Sequence, residues 1–121
     1  MTKDYPTTNN FDISIENDIA IVTLSGDTLD ASNCYSFREK IQPILEQEKK
    51  LIFNMEHIQF IDSSGCGTLN ICFKKSKLNQ GKIVICCLTP QVQFIFRLIK
   101  LNRILECFDT LEQAINAYLI S

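Results

Sequence analysis

Two short stretches, Leu51–Met55 and Lys82–Leu88, constrain this chain more than anything else in it. Each is nearly all apolar. A strand of that kind has no polar face to offer water, so it belongs inside a sheet covered on both sides. Segments with helical period lie between and after the two runs, and they can supply the cover.

The rest of the chain fits around this centre. Phe11 to Ile15 alternates apolar and polar residues, and Ile19 to Leu24 is rich in β-branched residues. With the turn residues Glu16-Asn17-Asp18 between them, they are expected to form a hairpin, closed off by Ser25-Gly26. Cys34, Phe37, Ile41, Ile44 and Leu45 then mark one face of a helix, with Asp30 or Ser32 as its cap and a kink or break expected at Pro43. A second helix is expected to run to about Asn79, with Leu69, Cys72 and Phe73 inward and Gly81 as its left-handed stop. Thr89-Pro90 suits a helix opening, cap then first helical position. The apolar excess that follows leaves one of Phe94 and Phe96 exposed, which suggests a contact surface. Ile104–Phe108 reads as a short edge strand. Thr110 and Gln113 stand at capping-box spacing before a last helix with Leu111, Ala114, Ile115 and Leu119 inward.

The expected architecture is α/β: a mixed sheet of about five strands, opened by the hairpin, with about four helices packed on it. Residues 1–10 are expected to be a flexible tail, and residues 11–121 one domain, a fitting size for a single core.

The net charge is −2 with Lys and Arg dispersed, so no nucleic acid or anionic membrane is expected as a partner. No apolar run is long enough to span a bilayer, and Met1 to Pro6 does not read as a signal peptide. A cytoplasmic setting is the expectation. In that setting the six cysteines, Cys34, Cys66, Cys72, Cys86, Cys87 and Cys107, are expected to be free thiols acting as small apolar residues. Cys86 and Cys87 should point to opposite faces of their strand. No Cys-x-x-Cys pair exists and His57 is the sole histidine, so no zinc site or other cofactor is expected.

One polar knot stands out, Asp62-Ser63-Ser64-Gly65-Cys66-Gly67, where an apolar run hands over to a helix. The first amides of a helix lack intrahelical partners and carry partial positive charge, so Asp and Ser oxygens are favoured there and a phosphate is welcome. Two glycines admit close approach of another backbone or a ligand. The same composition also serves as a plain cap and tight turn. Hydrolytic chemistry finds little support. Ser63 has Ile61 in the first glycine position of the nucleophile-elbow frame, and Ser64 has Asp62 there. The glycines lack the third member of a dinucleotide loop and any Walker lysine. Asp27 and Asp30 are spaced three apart on a loop, which fits surface solvation better than a cation site.

The sequence resembles the STAS family, and within it the bacterial anti-sigma factor antagonists. Leu24-Ser25-Gly26-Asp27-Thr28-Leu29-Asp30-Ala31 is similar to the family's Gly-x-Leu-Asp turn, with one extra residue between Gly26 and Leu29. Asn54 to Gly67 is similar to its central signature, with Cys66 where Leu or Ile is usual. Cys87-Leu88-Thr89-Pro90, with Val92 and the residues from Phe96, is similar to its third helix. The resemblance implies that Ser63 is a phosphoacceptor and that Asp30, Asp62, Ser63, Ser64, Gly65, Cys66 and Gly67 meet a partner.

The resemblance further implies partner switching in transcription regulation by a chain that is not itself an enzyme. The unmodified chain binds an anti-sigma factor that is also a serine kinase. Phosphorylation of Ser63 ends the complex, and a PP2C-type phosphatase reverses it. A monomer or weak dimer is expected. Two other readings stand beside this one: a STAS binding module of another signalling or lipid-transport system, and an enzyme with Ser63 or Cys66 as nucleophile.

Overall fold

The computed structural model describes residues 5–120. The chain begins with β1 (Phe11–Glu16) and β2 (Ile19–Leu24), paired antiparallel with Phe11 opposite Leu24. Asn17 and Asp18 both take left-handed backbone angles, φ 53° and 64°, which is what a two-residue hairpin turn requires and what Asn and Asp tolerate. Then follow β3 (Thr28–Leu29), α1 (Cys34–Gln47), β4 (Lys50–Asn54), β5 (Phe60–Ile61) and α2 (Ser63–Leu78). The chain continues through β6 (Lys82–Cys86), α3 (Pro90–Leu98), a 3-10 turn (Leu101–Arg103), β7 (Cys107–Phe108) and α4 (Leu111–Leu119).

The main sheet has the order β1-β2-β4-β6-β7, parallel everywhere except at the hairpin. The central strands explain their own composition. Leu51, Phe53, Ile83 and Ile85 point into a large core beneath α1, α2 and α3, while Ile52, Val84 and Cys86 point into a smaller one beneath α4. Both faces are dry, so alternation has nothing to mark. Phe37 of α1 stacks edge-on against Phe11 and Phe53, with ring centroids 5.8 and 5.9 Å apart.

A second, two-stranded sheet pairs β3 with β5 in parallel, Thr28 opposite Phe60 and Leu29 opposite Ile61. Sequence reading does not anticipate it. It leads directly into α2, so the strand entering that helix is β5 and not the central strand β4.

Several expectations need correction. Pro43 does not break α1, which runs without interruption from Cys34 to Gln47. Pro43 and Glu39, whose carbonyl loses its donor, are both exposed, so water can take the missing place. The left-handed stop after α2 is Gln80, φ 62°, and not Gly81. Gly81 is there for space: a Cβ would lie 2.8 Å from Ser76 Oγ and 3.2 Å from the Lys49 carbonyl. Cys86 and Cys87 do not face opposite ways. Cys87 sits past the strand end with φ 63° and packs with Cys86 against the smaller core. The edge strand β7 is two residues long, because Ile104 and Leu105 still belong to the turn after the 3-10 segment, their amides donating to the Leu101 carbonyl.

The last helix also differs in detail. Its capping box between Thr110 and Gln113 is present. Leu119, expected inward, is exposed, and Tyr118 takes its place in the interior. The Tyr118 hydroxyl accepts from the Leu51 N–H at 3.3 Å and lies 2.8 Å from the carbonyls of Leu51 and Lys82. A buried tyrosine needs such partners. Phe94 is exposed and Phe96 buried, and Thr89 precedes α3 with Pro90 first in the helix. The Thr89 hydroxyl does not cap that helix; it donates to the Ile58 carbonyl at 3.0 Å.

All six cysteines are free, four buried and Cys87 and Cys107 half-buried. Of the tail expected at 1–10, residues 1–4 lie outside the described residues. Tyr5 packs against the large core and its hydroxyl donates to Glu48 Oε2 at 2.5 Å.

Candidate functional site

Asp62 is the residue on which the site is built. It precedes α2 with extended backbone angles, φ −106° and ψ −173°, the geometry of an N-cap. Its Oδ1 accepts from the Gly65 N–H at 2.9 Å. Its Oδ2 accepts from the Ala31 N–H at 3.1 Å. One carboxylate therefore closes the helix and also ties it to the loop after β3.

Gly65 makes that closeness possible. A Cβ there would lie 2.1 Å from the Leu29 carbonyl oxygen and 2.6 Å from Ile61 Cγ1. The first turn of α2 is thus pressed onto the backbone of β3. Asp27 adds main-chain support, its carbonyl accepting from Gln59 N at 2.7 Å and Phe60 N at 3.1 Å. The Gly26–Ala31 turn, the Asp62 cap and the two glycines of the polar knot thus lie at one end of the molecule.

Asp30 does not cap α1 as expected, nor does Ser32. The Asp30 carboxylate closes its own turn, with Oδ1 accepting from the Ser32 N–H at 2.9 Å and the Ser32 hydroxyl at 2.5 Å. The Ser32 hydroxyl, then its amide, hold the Asp30 carboxyl below the usual carboxylate range. Asn33, the residue before the helix, turns its side chain back, accepting from Asp30 N at 2.9 Å and donating to the Thr28 carbonyl at 2.8 Å. Local side-chain-to-backbone bonds have outcompeted the cap.

Ser63 is the first residue of α2 and is exposed. Ser64 is half-buried behind it, and the capping oxygen at this end is Asp62's. Gly67 is exposed one turn on. Cys66 is buried, and burial first, then the Asp62 charge, push its thiol up. A thiol so placed is held protonated, the wrong state for a nucleophile. His57 is exposed between β4 and β5, with Glu56 Oε1 3.9 Å from its Nε2. Among the described residues no hydrogen bond joins it to Ser63.

One feature of this end escapes sequence reading. Leu29 O and Ala31 N act through main-chain atoms, which no side-chain motif announces. Phe60 is half exposed beside the site, and Phe94 and Leu98 project from the same side of α3. Only the surplus of apolar residues in that helix gives a signal of it.

Asp62→Ala is expected to cost about 2 kcal/mol, one helix cap plus one amide left unmatched. Urea unfolding measures it, and amide exchange at Gly65 and Ala31 should quicken selectively. Unchanged stability would mean that the cap and the tie do not hold the loop.

The sequence matches the STAS domain family over residues 10–114, and the chain belongs to that family. Its fold is shared with SpoIIAA, the anti-sigma factor antagonist and Bacillus cell fate determinant, in its unphosphorylated form: 24% identity, TM-score 0.74, 92% of this chain and 97% of that one. An anti-sigma factor antagonist from Mycobacterium paratuberculosis is similar at 18% identity and TM-score 0.79, over 88% of this chain and 91% of that one. Murine Slc26a9, an anion transporter, contains a similar portion at 18% identity and TM-score 0.75, covering 86% of this chain and 18% of the transporter. Among the described residues no helix is long and apolar enough to cross a membrane.

Proposed function

We propose that this chain is an anti-sigma factor antagonist whose docking is switched by phosphorylation of Ser63. The observation that carries the reading is the position of Ser63: an exposed hydroxyl at the positive end of α2, on a turn that Asp62 and Gly65 hold rigid. The partner is an anti-sigma factor with serine kinase activity, in a cytoplasmic setting. Asp30, Asp62, Ser64, Gly65, Cys66 and Gly67 shape the surface around the hydroxyl.

The chemistry is supplied by the kinase. Ser63 Oγ attacks the γ-phosphorus of ATP, the bond to the β-phosphate oxygen breaks, ADP leaves, and the hydroxyl proton passes to a base on the kinase. The product carries about −1.5 to −2 charge beside the Asp62 carboxylate. The helix end tolerates that charge, but an interface closed over it does not, because like charges then face each other with their water removed. A PP2C-type phosphatase hydrolyses the ester and restores the hydroxyl.

A second reading, a STAS binding module in another signalling or transport system, is favoured by the likeness to a portion of Slc26a9. Incubation with purified anti-sigma serine kinase and ATP separates the two. The expected result is one phosphate, mapped to Ser63 by peptide mass analysis and absent from Ser63→Ala. No modification, or modification at another residue, would overturn the first reading.

A further inference from the structure

Helix α3 and the turn after it carry apolar side chains on their outer side as well as their inner one. Val92 and Phe96 are buried in the large core. Phe94 and Leu98, four residues apart in the helix, are 61% and 67% exposed, and Ile99 and Ile104 beyond them are half exposed. Single exposed apolar residues are ordinary. Four of them between residues 94 and 104 are a concentration that the fold itself does not use.

The charge around them has one sign. Arg97, Lys100 and Arg103 are interleaved with the apolar residues, and all three are exposed. Lysine and arginine are dispersed along the chain, but carboxylates are not. Between Asp62 and Glu106 there is none, in a chain whose net charge is −2. Glu106 is itself taken by Lys82, at 2.9 Å. Among the described residues no ion pair engages Arg97, Lys100 or Arg103. Lys100 moreover has a left-handed backbone angle, φ 62°, just past the helix, where glycine fits best. A cation stands there although the backbone alone would favour no side chain at all.

This make-up disfavours one occupant and suits another. A second copy of the chain meeting the face about a two-fold axis would set these cations against their own counterparts. A lipid surface asks for no matching shape. It takes apolar tips into the boundary of the acyl chains and holds Lys and Arg at the level of anionic headgroups.

We propose that the outer face of α3, with the turn that follows it, is a peripheral docking surface for an anionic lipid bilayer. Phe94 and Leu98 lead the insertion, and Arg97, Lys100 and Arg103 meet the headgroups. The contact is reversible and salt-sensitive, and no segment crosses the bilayer. It makes no use of Ser63 and goes beyond the switch proposed above.

Flotation with lipid vesicles tests this, using wild type, Phe94→Ser/Leu98→Ser and Arg97→Glu/Lys100→Glu. One set of vesicles is phosphatidylcholine alone, the other phosphatidylcholine with about 30% phosphatidylglycerol. The changed side chains are exposed, so each variant is expected to melt within about 3 °C of wild type by circular dichroism. Wild type is expected to bind the anionic vesicles at least about tenfold more tightly than the neutral ones, with the difference shrinking as salt rises. On anionic vesicles the apolar variant is expected to bind about tenfold more weakly, and the charge-reversed one at least about 20-fold more weakly. Wild type that stays with the soluble fraction at low salt, equal binding to both kinds of vesicle, or variants that bind as wild type does would each overturn the proposal. So would a dimer in sedimentation that Phe94→Ser/Leu98→Ser abolishes, which would give the face to a second copy. Loss of anti-sigma kinase capture in that variant, with vesicle binding absent in wild type, would give it to a protein partner instead.

Discussion

Gly65→Ala is expected to destabilise the protein by about 3 kcal/mol, at the upper end of what overpacking costs. A methyl at this position would lie 2.1 Å from the Leu29 carbonyl oxygen and 2.9 Å from the Leu29 carbonyl carbon. Those atoms are backbone, so no rotamer change relieves the clash. The backbone itself is pinned, since Leu29 pairs with Ile61 across the small sheet and Asp62 N–H reaches Leu29 O at 3.4 Å. To admit the methyl, the loop must separate from α2 and the Asp62-to-Ala31 bond must go with it. Against a typical stability of about 5–15 kcal/mol, a loss of this size leaves a markedly less stable chain. Urea unfolding followed by circular dichroism gives the value. A loss below about 1 kcal/mol would mean that the β3 loop yields readily and that the frame around Ser63 is soft. Two residues on, Gly67→Ala should move stability the other way, so the pair makes an internal control.

Ser63→Asp is expected to weaken kinase binding by about 10- to 100-fold, within the range of ordinary coupling energies. Ser63→Ala should bind as wild type does and never be released by ATP. The asymmetry follows from what each change does to an exposed helix start. Alanine removes a hydroxyl that makes no hydrogen bond among the described residues, whereas aspartate places a second carboxylate next to Asp62, whose two oxygens are already committed. Asp62 has no freedom to turn aside, so repulsion is met at the interface. The effect should also stay local. Amide spectra of the phosphorylated and unmodified forms should differ at residues 29–31 and 62–67 and little elsewhere. Equal capture of the kinase by both variants would contradict the switch, and shifts spread across α4 would contradict its locality.

Legibility in the sequence tracked the physics of each element. The two central strands declared themselves because both faces of the sheet are covered, and the capping box of α4 because its partners lie three residues apart. The polar knot was readable as a helix start for the same local reason. What stayed hidden depends on pairings between distant segments. Two-residue strands such as β3 and β5 carry no periodicity, so the sheet that brings Ala31 to Asp62 leaves no trace in either segment alone. Tyr118 reads as amphipathic until the backbone groups of Leu51 and Lys82 are seen around its hydroxyl. Gln80 and Cys87 take left-handed angles that composition assigns to glycine, because the surrounding packing overrides preference. Asp30 looked like a cap and is a turn, a competition that sequence alone leaves open.

The margins of the main sheet bear on what kind of company this protein keeps. One margin is β7, a stub of two residues; the other is β1, where Asp12, Ser14 and Glu16 stand out toward solvent. Short borders and carboxylate-studded borders both discourage a visiting chain from zipping on as an extra strand. Fibril-like growth and strand exchange are thereby discouraged, which leaves the helical faces as the larger surfaces open to other molecules.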